Sequence, residues 1–154
     1  HRAVMGARDR LRRVFMPSDT WPADDLTEAQ NRADLERHAE EFARREALAW
    51  SVLAPDRSRV LGCVYLDPHG GPSWDVEGYW WLSEPEFRRG RDPFFGRLLR
   101  LWLALHRPGL RVAWPGRRPA WGPWLAYCTE HGLHSRHGDG PARRAPDPTA
   151  NRVP

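Results

Sequence analysis

Lysine and isoleucine are missing altogether from the 154 residues, and cysteine and methionine occur only twice each. No stretch approaches the ~20 consecutive apolar residues that a membrane-spanning helix needs. All 24 basic residues are therefore arginine, set against 20 acidic ones, for a net charge of +4. An excess of that sign ordinarily points to an anionic partner. A chain without lysine or isoleucine carries the bias of GC-rich coding sequence, however, so where the arginines cluster says more than how many there are. With only Cys63 and Cys128, Cys63 lying inside an apolar run, a disulfide framework is not expected, and a reducing, cytoplasmic compartment is. The first residues, HRAVMGARDR, are charged and no apolar segment follows them, so no signal peptide is expected. The chain opens on His1 rather than Met, and an N-terminal portion is expected to be missing.

What is present is a globular composition: 40% apolar residues, nine tryptophans, and enough length for one domain with a core. Val4, Ala7, Leu11, Val14 and Phe15 follow helical spacing, which predicts a helix over 3–15. Thr27 with Gln30 forms a capping box that opens a second helix with Leu35, Ala39 and Phe42 as its buried stripe. Ala47–Ala54 and Val60–Asp67 read as a hairpin around PDRSR, and Trp74–Leu82 as a third strand. In that strand Val76, Gly78, Trp80 and Leu82 share one face, and Glu77, Tyr79 and Trp81 the other. Asp92 and Pro93 suit the start of a broadly apolar helix. Its main stripe is Phe94, Leu98, Leu101 and Leu105, flanked by Phe95, Leu99 and Trp102. Leu110–Trp114 is a short strand, reached by a crossover that implies a parallel pair. Trp121–Leu133 is a last helix with Gly132 near its end. The expected fold is α/β: a central mixed sheet with an antiparallel meander, a parallel crossover and helices on both faces. Residues 1–133 make the domain, and 134–154, rich in Pro, Gly and Arg, read as a disordered tail.

This order, with the stretches LTEAQNRADLERHAEEFARREALAWSVL, RVLGCVYLDP, YWWLSEPEFRRGR and VAWPGR, resembles the GNAT N-acetyltransferases, closest to an uncharacterised bacterial branch. The resemblance covers roughly residues 3–133. It implies direct transfer of an acetyl group from acetyl-CoA to a primary amine. The family strand that precedes the first helix is absent, in keeping with a missing N-terminal portion. The family seats the CoA diphosphate on an R/Q-x-x-G-x-G/A turn at a helix start. Here that place reads Arg88, Arg89, Gly90, Arg91, Asp92, Pro93, and neither alignment of the motif retains its two glycines. Pro93 removes an N–H donor and Asp92 adds a negative charge. Three guanidiniums suit phosphate geometry and are expected to offset the lost glycines by direct contact, beside a helix N-terminus that favours anions.

The resemblance implies a carboxylate base on the third strand, for which Glu77 is the candidate and Asp75 the second. It also implies an oxyanion-binding backbone N–H around Trp81, Leu82 and Ser83, and a tyrosine acid, Tyr127, on the last helix. Tyr127 stands five residues before Gly132, where the family pattern has four, and Cys128 takes the family place. A strand often has one solvated polar face, which is the plain alternative for Glu77; packing is the alternative for Tyr127. Cys128, His131, His134 and His137 recur every three residues with zinc-compatible chemistry. Gly132 ends the helix between them, and no metal is expected. Trp50, Trp80, Trp102 and Trp114 read as core, and Trp21 with Trp81 as walls of an acceptor pocket. The expected partner is a small-molecule or peptide amine; neither a membrane nor nucleic acid is expected, and a second copy of the chain is a candidate. The competing reading is a non-catalytic module of the same fold with weak CoA binding or none.

Overall fold

A computed structural model describes residues 1–134; the 134–154 tail expected from composition lies, apart from His134, outside the described residues. Two short N-terminal helices, α1 (Arg2–Gly6) and α2 (Arg8–Leu11), precede a long loop and α3 (Glu28–Ala43). A meander follows of β1 (Leu48–Leu53), β2 (Val60–Pro68) and β3 (Val76–Leu82). Next come α4 (Glu84–Arg88), α5 (Asp92–His106), β4 (Val112–Ala113) and α6 (Trp121–Glu130). The sheet has four strands in the order β1-β2-β3-β4, antiparallel except for the parallel pair β3–β4. This is the mixed α/β sheet expected from the sequence.

Alternation along β2 and β3 sorts the core onto two faces. Cys63, Tyr65, Tyr79 and Trp81 pack with Val4, Ala7, Leu11 and Phe15 from the N-terminal segment. Val64, Leu66, Val76 and Trp80 pack on the opposite face with Leu103 of α5 and with Trp114. β2 and β3 are apolar on both sides because helices cover both sides. Trp114 lies across the sheet at Gly78, where an added Cβ would come within 2.6 Å of its ring. A glycine in mid-strand is the space that ring occupies. No helix among the described residues is long and apolar enough to cross a membrane.

Several boundaries and faces differ from expectation. The 3–15 helix breaks at Ala7, although Val4, Ala7, Leu11 and Phe15 are all buried as their spacing requires. The Thr27–Gln30 capping box is present in both directions. The stripe expected to be buried on α3 is half exposed, Leu35 50% and Phe42 41%, while Asn31 and Glu41 are buried. On α5 the stripe of Phe94, Leu98, Leu101 and Leu105 is also exposed, and Phe95, Leu99 and Leu103 face the sheet. Both helices carry apolar residues around more than half of their circumference, or polar ones on both sides, so periodicity alone did not choose the inner face. Trp102 is likewise 43% exposed, against its reading as core. α5 starts one residue early, with Arg91 as cap, and the last strand and last helix are shorter than expected. Gly132 sits at φ +61° just past α6, with Leu133 N–H donating to Cys128 O, the bond pattern that closes a helix end.

Candidate functional site

The arginine stretch forms a compact, charged knot at the carboxyl end of β3. Ser83 caps α4, and Gly90 at φ +69° turns the chain into α5. Between them Glu86 points inward and is only 2% exposed. Its carboxylate accepts from Arg59 Nη1 at 2.9 Å, from Arg89 Nη1 at 2.8 Å and from Arg91 Nη1. The bonds from Arg59 first, and then Arg91, hold its carboxyl below the usual range. Arg88 donates to Glu84 at 2.8 Å and otherwise stands in solvent. Arg10 also lies 3.5 Å from Glu84, so five guanidiniums meet two carboxylates, and the side chains of Arg59, Arg89 and Arg91 stay about half exposed. The cluster keeps a positive balance while its donors are held in place.

Beside this knot the sheet opens. β3 and β4 pair only at Val76–Val112 and Glu77–Ala113; beyond that, Trp114 pairs with Arg118 instead. Ser83 N–H donates to Leu61 O at 2.7 Å, which fixes the parity of the β2–β3 ladder. By that parity, the backbone groups of Trp80 and Leu82 face the opening. Two arginines reach these carbonyls: Arg10 donates to Leu82 O at 2.6 Å and Arg117 to Trp80 O at 3.5 Å. Arg117 also lies 3.7 Å over the Trp80 ring and donates to Asp92 at 2.7 Å. Trp80 Nε1 donates to the same carboxylate at 3.1 Å. Asp92, whose charge counted against an anion at the start of α5, is buried and paired with Arg117.

Glu77 and Tyr127 come together at the opposite end of β3, on either side of a residue the sequence reading passed over. Glu77 is 1% exposed, so the solvated alternative does not hold. His69 Nδ1 lies 3.9 Å from its Oε2. The His69 ring packs 4.6 Å from Trp124 and 5.9 Å from Tyr127. Tyr127 accepts a bond from Ser73 N–H at 3.0 Å, pinning the turn after β2. Cys128 is buried here too, and desolvation pushes its thiol up to about 11. It is a protonated packing residue at neutral pH. Asp75, the second carboxylate candidate, is bound by Arg111 through several bonds, the shortest 2.6 Å. Among the described residues no group of three or more ligand types is placed to hold a metal, and His137 lies outside them.

Burial also pulls His69 below the ordinary histidine range. The unfolded chain then takes up a proton before the folded one does. Stability is complete above about pH 6.5 and lost as the pH falls below it. Melting temperature is expected to fall from pH 7 to pH 5, and His69→Gln is expected to flatten that limb; equal slopes would remove His69 as its source.

On the face carrying Trp81, a cavity of about 560 Å³ lies between α3, the N-terminal segment and the sheet. Trp21 and Trp81, the two tryptophans expected in an acceptor pocket, both line it, with Phe15 and Tyr65. α3 contributes Asn31, Asp34 and His38 to the same wall. His38 Nδ1 lies 3.2 Å from Glu41 Oε2, and its ring packs 5.4 Å from Tyr65. Glu77 does not line this cavity. It stands five residues from Leu82, about 17 Å along an extended strand. Arg10, Arg59, His38, His69 and Arg117 were all missed by motif reading: Arg10, Arg59 and Arg117 act through partners distant in the chain, and His38 and His69 stand alone in stretches without a motif. Only His69 had a usable signal: it continues the alternation of Cys63, Tyr65 and Asp67 along β2. Comparison with known proteins finds no matching family model, no similar curated protein and no similar solved structure.

Proposed function

We propose that this domain is an acyl-CoA-dependent N-acyltransferase of the GNAT kind, with acetyl-CoA as donor and an amine as acceptor. One observation carries the reading. The strand segment around Trp81 has an open edge leading to an arginine knot, while the Trp81 ring floors a cavity on the adjacent face. A donor needs an extended groove that ends in cations, and an acceptor needs a pocket beside it. The diphosphate is assigned to Arg88, Arg89 and Arg91 around Gly90, at the start of α5.

In the transfer, the acceptor first loses a proton. Its nitrogen then forms a bond to the thioester carbonyl carbon, and the oxyanion accepts from a backbone N–H facing the opening, Trp80 or Leu82. The C–S bond breaks as the carbonyl re-forms, and the thiolate takes the proton released by nitrogen. Glu77 is the base suggested by the strand pattern. The geometry favours His38, which lines the cavity and is oriented by Glu41, as base candidates generally are.

A second reading, a binding module without CoA, has its own observation: Arg10 and Arg117 already occupy the Leu82 and Trp80 carbonyls. Thermal shift separates the two, since a ligand bound only by the folded state raises its melting temperature. Acetyl-CoA is expected to raise it by several degrees, and no shift would favour the module. His38→Gln is expected to keep that shift and to slow amine-dependent thiol release by about a hundredfold or more. Glu77→Gln is expected to leave release closer to wild type; the reverse ranking would return the base role to Glu77.

A further inference from the structure

α5 turns an apolar stripe outward. Phe94, Leu98, Leu101 and Leu105 follow one another at spacings of four, three and four, so they run down one face of the helix. Each is 51–70% exposed, because α5 meets the sheet with its other side, through Phe95, Leu99 and Leu103. Trp102 borders the stripe on one flank, and Arg97 and Ala104 border it on the other. Arg100 turns away, its guanidinium 5.9 Å from the Trp80 ring. With Trp102, the stripe leaves about 550 Å² of apolar surface bare, at the upper end for a chain that stands alone. The segment 135–154 has little to cover it with: it contains no leucine, isoleucine, methionine or aromatic residue.

The stripe is complementary to itself. Its spacing reads the same in both directions. A second copy, reversed about the midpoint, therefore sets Phe94 opposite the partner's Leu105 and Leu98 opposite the partner's Leu101. On the flank, Arg97 then comes beside the partner's Ala104 and not beside another arginine. Reversal also opposes the two helix dipoles. It keeps the two arginine knots at opposite ends of the contact, about 22 Å apart for a helix of 15 residues. A parallel pair would set those knots side by side, at a cost in charge repulsion. With Arg97 and Ala104 as rim, a pair buries about 1,200 Å² in total, the lower bound for a stable interface.

We infer that two copies of this chain associate through antiparallel α5 helices, across the stripe from Phe94 to Leu105, with micromolar affinity in keeping with that area. The test is sedimentation equilibrium of the whole chain from about 1 to 300 μM, a range that brackets such an affinity. The mass is expected to rise from that of one chain to that of two. Leu98→Glu with Leu101→Glu is expected to weaken association about a hundredfold or more, because pairing would bury carboxylates against apolar side chains. Circular dichroism is expected to be unchanged, since both residues are more than half exposed. Leu105→Glu alone, at the most exposed position of the stripe, repeats the test should the double variant misfold. Leu53→Glu, at an exposed apolar position of β1, is expected to associate as wild type does. Oxidising a mixture of Phe94→Cys and Leu105→Cys chains is expected to join unlike chains. A wild-type chain that stays monomeric throughout, including one that instead sediments with phosphatidylglycerol vesicles, would overturn the inference. So would undiminished association in the folded glutamate variants, and cross-links between like chains would overturn the antiparallel order.

Discussion

Replacing Arg88, Arg89 and Arg91 together by alanine is expected to abolish detectable acetyl-CoA binding, a loss of about a hundredfold or more. Each guanidinium on a phosphate is a charge-assisted hydrogen bond, and two such bonds suffice for that factor. The three do not contribute alike. Arg88 has one partner, Glu84, and is 78% exposed at its side chain, so it is free to swing. Arg89 and Arg91 are tethered to Glu86, so they lose less side-chain freedom on meeting a phosphate. Arg88→Ala alone is therefore the milder variant and leaves the fold intact. Salt should weaken wild-type binding more steeply than binding to Arg88→Ala. A triple variant that remains folded by circular dichroism and binds acetyl-CoA as wild type does would move the phosphate seat elsewhere.

Glu86→Gln is expected to give the largest loss of stability at this end of the molecule, about 2 kcal/mol. Breaking a fully buried ion pair costs about 3–5 kcal/mol. Here the carboxylate is buried while its guanidiniums are half exposed and regain water, which lowers the figure. The variant also has a pH signature. The arginines hold the Glu86 carboxyl below its ordinary range, so its stabilisation is complete above the unfolded value of about 4.3. It is lost as the pH falls through the lower folded value. The melting curves of wild type and Glu86→Gln should differ at neutral pH and converge in acid. Superimposable curves at neutral pH would mean that Glu86 is not the anchor of the arginine knot.

The layout of the sheet was legible in the sequence, and the inner faces of its helices were not. β2 and β3 declared themselves because a strand covered on both sides must be apolar at every position, as VLGCVYL and YWWL are. α5 is apolar almost all round, so Phe94 and Phe95 were equally good candidates for the inside; the shape of the Trp80 and Trp114 rings, not periodicity, decided for Phe95. α3 gave the opposite error. Leu35 and Phe42 stay partly exposed because Leu35 borders a cavity rather than a packed core, and a cavity tolerates Asn31 and His38 on the same face where a core would not. Site residues followed the same division. The arginine cluster was visible because its members are neighbours in sequence. Arg117 and Asp92 lie 25 residues apart and meet only through the crossover that brings β4 beside β3.

The central claim, that guanidiniums around Gly90 seat a CoA diphosphate without the usual glycines, is tested most directly by titrating acetyl-CoA into the wild-type chain in a calorimeter at low salt. The expected result is a saturable heat at one site per chain, lost in the Arg88, Arg89 and Arg91 triple variant. No heat at millimolar acetyl-CoA would contradict it, and would leave the Arg117–Asp92 pair as a plug in a site that no longer takes a nucleotide.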